Sequence, residues 1–231
     1  MKIMSILPVT VRLLGRERTL FHNQFNCIFA KMSSSSGKRL RVLVDMDGVI
    51  ADFEGGFLKK FRARYPNEPY ITLEDRRGFW VSSQYGSLRS DLCEKAISIW
   101  ESKDFFIELE PIPGGVQAVK EMAKMENTDV FICTSPIKHY IHCPYEKYAW
   151  IDKHLGFDFL EQIILTRDKT VVTGDILIDD KPELIGVEPN PSWEHVLFTA
   201  CHNKHIPPSF SRRRLLSWAD DWRGLLESKR H

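Results

Sequence analysis

Two aspartates one residue apart, Asp45 and Asp47, end the apolar run Arg41-Val42-Leu43-Val44, and Gly48 follows them directly. Carboxylates held side by side in a dry setting repel each other, and the partner that suits such oxygen donors is a hard cation such as Mg²⁺. The apolar run reads as a strand buried on both faces. Side chains alternate along a strand, so Asp45 and Asp47 point to the same side where it ends. Gly48 permits a sharp turn beside whatever anion the cation holds. The competing reading is a strand that ends in solvated turn aspartates, because Asp-Gly is a common turn.

Three more strand ends carry polar groups. Thr134 and Ser135 close Asp129-Val130-Phe131-Ile132-Cys133, just before Pro136. Lys169 lies shortly beyond Gln162-Ile163-Ile164-Leu165-Thr166, and Asp179 and Asp180 close Asp175-Ile176-Leu177-Ile178, repeating the opening pattern. Together these offer acids for one cation, hydroxyls for anionic oxygens and a lysine for negative charge. That set suits phosphoryl transfer, in which positioning and charge neutralisation do most of the work. A Gly-rich Walker loop, the mark of an NTPase, is missing from the chain.

The elements that must position these groups alternate strand and helix, which predicts an α/β fold: a Rossmann-like parallel sheet flanked by helices. Ligands of such sheets gather beyond the carboxyl ends of the strands. Helices are expected over 53–65 (Phe53, Phe57, Phe61), 114–126, 144–155 and 218–226, with a further strand at 195–199. Residues 70–108 carry no strand signal and read as short helices and loops rich in aromatics, a small, mainly helical cap inserted after the first strand. The expected boundaries are 40–54 and 110–231 for the core and 55–109 for the cap.

Composition narrows the function classes. In 231 residues, 43% are hydrophobic and 27% charged, ordinary for a globular protein with one sizeable core. No apolar stretch reaches the length of a membrane span. Residues 1–40 hold seven basic residues and the single acid Glu17, which leaves 25 basic against 30 acidic residues in 41–231. A net-acidic body is a poor binder of nucleic acid polymers. Five cysteines without CxxC spacing read as reduced structural thiols, and the histidines show no metal-ligand spacing. Residues 1–39 resemble a mitochondrial transit peptide and linker, with Phe21, Phe25 and Phe29 on one helical face. Targeting to the mitochondrial matrix is therefore expected, and Met32 offers an internal start for a cytosolic form. Arg212-Arg213-Arg214 reads as a solvated surface run, Trp193, Trp218 and Trp222 as packing residues, and Arg76-Arg77 as surface charge or a cap-closing contact.

In order and content the four stations resemble the haloacid dehalogenase superfamily. Within it the chain is similar to the 5′(3′)-deoxyribonucleotidase family, its mitochondrial branch above all, over residues 41 to about 200. The likeness is carried by DMDGVIADFEGGF, EDRRGFWVS, KAISIWES, DVFICTSPIK, CPYEKYAW, LTRDKTVV and PSWEHVLFTACHN. The resemblance implies a phosphoaspartate formed on Asp45, with Asp47 protonating the leaving oxygen and then deprotonating water. It implies Mg²⁺ held by the Asp45 carboxylate, the Asp47 backbone carbonyl and Asp180, with Asp179 in support. Thr134 and Lys169 would bind phosphoryl oxygens, with Ser135, Lys138 and Lys147 as secondary contacts. Phe53, Phe79, Trp80, Val81, Trp100 and Phe106 match an aromatic pocket for the base and deoxyribose, or else form the small core of the cap. The implied substrates are pyrimidine deoxyribonucleoside monophosphates, dUMP and dTMP first, as 5′ and also 3′/2′ esters, with control of mitochondrial dTTP pools as the role. A homodimer is implied too. The alternatives are a phosphatase of the same superfamily on another small phosphate ester, and a non-catalytic binding protein.

Overall fold

A computed structural model describes residues 38–207 and 213–230. The leader reading, apart from its last two residues, and Arg212 lie outside the described residues. Six strands form one parallel sheet: β1 (Leu40–Val44), β2 (Thr128–Thr134), β3 (Ile163–Leu165), β4 (Ile176–Asp179), β5 (Glu194–Phe198) and β6 (Arg214–Leu215). Their order is β3-β2-β1-β4-β5-β6. The chain thus builds outward from β1 in one direction, returns, and builds outward from β4 in the other. The crevice between β1 and β4 is the switch point at which such sheets bind ligands.

Both faces of the sheet are covered, which is why β1 reads as an unbroken apolar run. Leu40, Val42 and Val44 join the main core, while Leu43 packs with Cys133, Leu177 and Trp193 on the opposite face. Between β1 and β2 lie α1 (Phe53–Arg64), α2 (Val81–Leu88), α3 (Leu92–Trp100) and α4 (Gly115–Met122). Asp52 caps α1, its carboxylate accepting the Gly55 N–H at 2.9 Å. Phe57, Phe61, Tyr85, Leu92, Ala96 and Ile99 bury the inner faces of α1 to α3 in the main core. α5 (Cys143–Leu155) follows β2, with Pro144 at its start, and ends at Gly156, whose φ of +106° suits glycine.

At the C-terminus the structure departs from expectation. The helix expected over 218–226 begins only at Trp222, as α6 (Trp222–Glu227). The Asp220 carboxylate takes the Leu216 N–H at 2.6 Å and holds a turn, and Asp221 caps the helix by accepting the Gly224 N–H at 2.8 Å. Trp218 is buried instead, its indole N–H donating to the Val49 carbonyl at 2.7 Å beneath the first turn of the site. The arginine run is likewise no free surface stripe: Arg213 pairs with Glu194 of β5, and Arg214, in β6, donates to the Asn203 side chain at 3.0 Å. Among the described residues no helix is long and apolar enough to cross a membrane.

Candidate active site

Register brings the acids together. Val44 lies opposite Ile178, and the Asp45 N–H continues the ladder to the Ile178 carbonyl at 2.9 Å, which sets Asp45 beside Asp179. Carboxylate oxygens of Asp45, Asp179 and Asp180 all lie within 4.8 Å of one another, in buried positions. Lys169, 6% exposed, reaches Asp45 Oδ1 at 2.9 Å and Asp179 Oδ2 at 2.5 Å. One ammonium does not balance three carboxylates. Burial, then the neighbouring Asp179 and Asp45, push the Asp180 carboxyl well above its ordinary range. Asp45 is raised as well, by burial, against the pull of Lys169. Those same acids hold Lys169 protonated despite its burial.

The donor set fits a hard divalent cation. Asp180 Oδ1 is buried without a hydrogen-bond partner, and oxygen-only ligands are what Mg²⁺ takes. Room for the Asp180 carboxylate is kept at Gly48, whose φ is +76°: a Cβ there would stand 2.0 Å from Asp180 Oδ2. That is the physical reason for glycine after the paired aspartates.

Asp45 and Asp47 are not bridged through their side chains. The Asp47 carboxylate turns to Lys147 of α5, 2.5 Å from Oδ2. Lys147 is fully buried and also donates to Thr134 Oγ1, at the end of β2, at 2.8 Å. Its ammonium sits 4.9 Å from the centre of the Phe106 ring. Burial pushes the Asp47 carboxyl up, and Lys147 is the leading counterweight. Lys147 therefore ties an acid/base candidate to a hydroxyl suited to phosphoryl oxygens, a more central place than a secondary contact. The preceding residue anchors it: buried Glu146 accepts the N–H groups of Asp104 and Phe106 at 2.6 and 2.9 Å.

The aromatic candidates fall into two groups. Phe53 packs against Trp100, Phe105 and Phe106, with ring centres 5.3 to 6.4 Å away. Phe106 is fully buried beneath Lys147, and Phe53 and Trp100 are half-buried. Phe79 and Trp80 meet edge to face at 4.9 Å, with Lys181 Nζ 5.2 Å from each ring centre. Trp80 is 61% exposed, whereas Val81 is buried at the start of α2. Ser135 and Lys138 lie in the loop after β2, half-buried and exposed respectively.

Three residues that the sequence did not single out also reach the site. Glu54 takes a bidentate ion pair from buried Arg76, with both contacts at 2.8 Å. His202 Nε2 stands 3.2 Å from the Asp180 carbonyl, and Asn203 donates to that same carbonyl at 2.7 Å. Burial would raise the Glu54 carboxyl, but His202 and Arg76 outweigh it and hold the group below its ordinary range. The one available signal was the company these residues keep: an acid directly after Phe53, and His202-Asn203 just past an apolar strand. Cys133 and Cys201 are inert, each thiol pushed up to about 12 by burial.

Four carboxylates, two buried lysines and a buried hydroxyl thus converge on one switch point. Comparison with known proteins shows the family. Residues 38–230 match the family described as 5′ nucleotidase, deoxy (pyrimidine), cytosolic type C protein. The chain is 72% identical over 196 residues to the mitochondrial 5′(3′)-deoxyribonucleotidase of Homo sapiens, a match covering 85% of this chain and 86% of the relative. It is 58% identical over 193 residues to the human cytosolic type, covering 84% and 96%. Among solved structures it resembles a HAD-hydrolase of Bacillus subtilis, solved bound to magnesium, with a TM-score of 0.53 at 13% identity, covering 81% of this chain and 99% of that one. A HAD-superfamily hydrolase of subfamily IA from Geobacter sulfurreducens gives 0.50 at 12% identity, covering 85% and 99%. These two likenesses carry the fold alone: an α/β core with a parallel sheet like that of these hydrolases.

Proposed function

The chain belongs to the pyrimidine-type deoxy 5′-nucleotidase family, and from that membership we propose that it is a Mg²⁺-dependent phosphatase of pyrimidine deoxyribonucleoside monophosphates. It is a phosphoric monoester hydrolase of the nucleotidase kind. The observation that carries the finer reading is the cluster of Asp45, Asp179 and Asp180 around Lys169, next to the Asp47–Lys147–Thr134 chain.

In this reading a carboxylate oxygen of Asp45 attacks phosphorus, and the P–O bond to the sugar breaks as the phosphoaspartate forms. Asp47, whose carboxyl is pushed up by burial, donates a proton to the departing sugar oxygen. It then takes a proton from the water that cleaves the phosphoaspartate. Thr134 and Lys169 face the phosphoryl oxygens, with Ser135, Lys138 and Lys147 as further contacts, and Lys169 also holds Asp45 at 2.9 Å. Asp45, Asp180 and the Asp47 backbone carbonyl would hold Mg²⁺, with Asp179 in support. When bound, the ion neutralises charge on the phosphoryl group.

Residues 55–109 act as the cap over a core of 40–54 and 110–231. Phe53, Trp100 and Phe106 line the deoxyribose side, and Phe79, Trp80 and Val81 the base side, where dUMP and dTMP fit best. Apolar walls leave a ribose 2′-hydroxyl without a partner and so favour deoxyribose in 5′ and 3′ esters, a 2′ ester being one that only ribose can form. A mitochondrial location, supported by the 72% identity to the mitochondrial relative, completes the reading, with a leader over 1–39, a cytosolic form from Met32, a homodimer and control of mitochondrial dTTP pools.

Phosphate release from a panel of mononucleotides and sugar phosphates, with and without Mg²⁺, tests it. Fast release from dUMP and dTMP, slow release from UMP and none without the cation is the expected pattern. Equal rates on glucose phosphate would replace it with a phosphatase for another small ester.

A further inference from the structure

Arg76 is 1% exposed, although a buried guanidinium loses several kcal/mol of hydration unless its donors are met. Its partners connect two parts of the site. Glu54, in the first turn of α1, takes Nε and one terminal nitrogen at 2.8 Å each. The remaining donors hold the carbonyls of Arg77 and Gly78, at 3.2 and 3.1 Å, and the Gln84 side chain. Gly78 has a φ of +72°, with nothing within 4 Å of where a Cβ would stand. The loop from Gly78 to Trp80 thus has little core of its own, and the arginine fork sets its course.

From Glu54 the connection runs to the acidic cluster. His202, 2% exposed, has Nδ1 3.4 Å from Glu54 Oε1, within ion-pair distance but without a hydrogen bond, and its Nε2 lies 3.2 Å from the Asp180 carbonyl and 3.6 Å from Asp180 Oδ2. Its ring meets Phe79 edge on, at 5.5 Å. A second metal centre at Glu54, Cys201 and His202 is within reach by distance alone, but Glu54 already carries the arginine and the Cys201 thiol stays protonated.

We propose that Glu54, Arg76 and His202 are positioning residues which lock the Phe79–Trp80 loop to Asp180, so that one buried network sets both base recognition and cation binding. The inference rests on the nucleotidase reading. A purely structural ion pair makes a different prediction, because apolar residues of similar volume can replace such a pair without loss of stability.

Three variants of the full chain test it: Arg76→Lys, His202→Gln and the apolar pair Glu54→Leu/Arg76→Met. Each is checked for fold by circular dichroism. For Arg76→Lys, kcat/KM on dUMP should fall about 10- to 100-fold, mostly through KM, while on p-nitrophenyl phosphate, which has no base, it falls less than about threefold. His202→Gln should weaken Mg²⁺ binding by about 10- to 100-fold, read without substrate as a smaller rise in melting temperature per increment of Mg²⁺. The apolar pair should fold yet lose the preference for dUMP over the aryl phosphate. Equal losses on both substrates in Arg76→Lys, wild-type Mg²⁺ binding in His202→Gln, or a folded apolar pair with wild-type preference would each overturn the proposal. A wild-type enzyme with no preference for dUMP would instead remove the nucleotidase reading, and the inference with it, before any variant is made.

Discussion

Replacing Lys147 by methionine isolates the electrostatic part of the site. The methionine keeps an unbranched apolar stem against Phe106 and removes the ammonium that bonds Asp47 Oδ2 at 2.5 Å and Thr134 Oγ1 at 2.8 Å. Hydrogen bonds to charged groups contribute roughly 1.5–3 kcal/mol each, so losing both costs about 3–6 kcal/mol of transition-state stabilisation. That corresponds to a fall in kcat/KM of about 10²–10⁴. The loss should divide unevenly between the two half-reactions. Burial already raises the Asp47 carboxyl and Lys147 opposes it, so removing the cation raises it further. Asp47 still serves the leaving sugar oxygen, but once that proton is given up and the nucleoside has left, the raised carboxyl takes a proton back from solvent more readily and is then unable to take one from the attacking water. Phosphoenzyme should therefore accumulate, visible as a burst of nucleoside in rapid-quench experiments with dUMP, and the acid limb of the kcat profile should move to higher pH. A variant whose kcat lies within about threefold of wild type, with the acid limb unmoved, would refute the assignment of Lys147 as the counterweight to Asp47.

Two further substitutions probe separate parts of the molecule. Gly48→Ala adds a Cβ 2.0 Å from Asp180 Oδ2 at a φ of +76°, a left-handed conformation that costs an L-residue about 1–2 kcal/mol. Asp180 must move, so half-saturation by Mg²⁺ should rise about tenfold or more, and calorimetric titration returning the wild-type affinity would contradict the cradle described for Gly48. Glu194→Gln tests the seam between β5 and β6. Arg213, with Lys229 in support, holds the Glu194 carboxyl at about 2 against an ordinary 4.5, so the stabilisation is complete above 4.5 and is lost as pH falls towards 2. The pair is partly exposed, so urea midpoints at pH 7 should place the variant about 1 kcal/mol below wild type, with the two curves meeting near pH 2. A constant gap across the whole pH range would point to packing instead.

Much of the fold is legible without coordinates because a strand covered on both faces must be apolar throughout, and it announces its end when it reaches water. Val42–Val44 ending at Asp45 and Ile176–Ile178 ending at Asp179 follow that rule, as does Thr134 after Ile132-Cys133. Local chain geometry dictates Gly48 as well, since the turn needs a positive φ. The terminal helix was harder to place: a helical spacing of tryptophans over 218–226 competes with aspartate side chains that bond the backbone, and Asp220 and Asp221 win by holding a turn before Trp222.

The sequence by itself determined which groups stand at the strand ends, because spacing along one element sets which way its side chains face. Only the tertiary structure decided which of them meet. The β1–β4 pairing set Asp45 beside Asp179 and Asp180, and it separated their carboxylates from that of Asp47, which found Lys147 a hundred residues on. Arg76 reads as surface charge or a cap-closing contact until Glu54 is placed against it, and His202 reads as an ordinary histidine until Asp180 is. Partners so far apart in the chain leave no periodic trace. Their interaction depends on distances that exist only once the sheet has formed, and on the low dielectric that makes each unpaired charge costly.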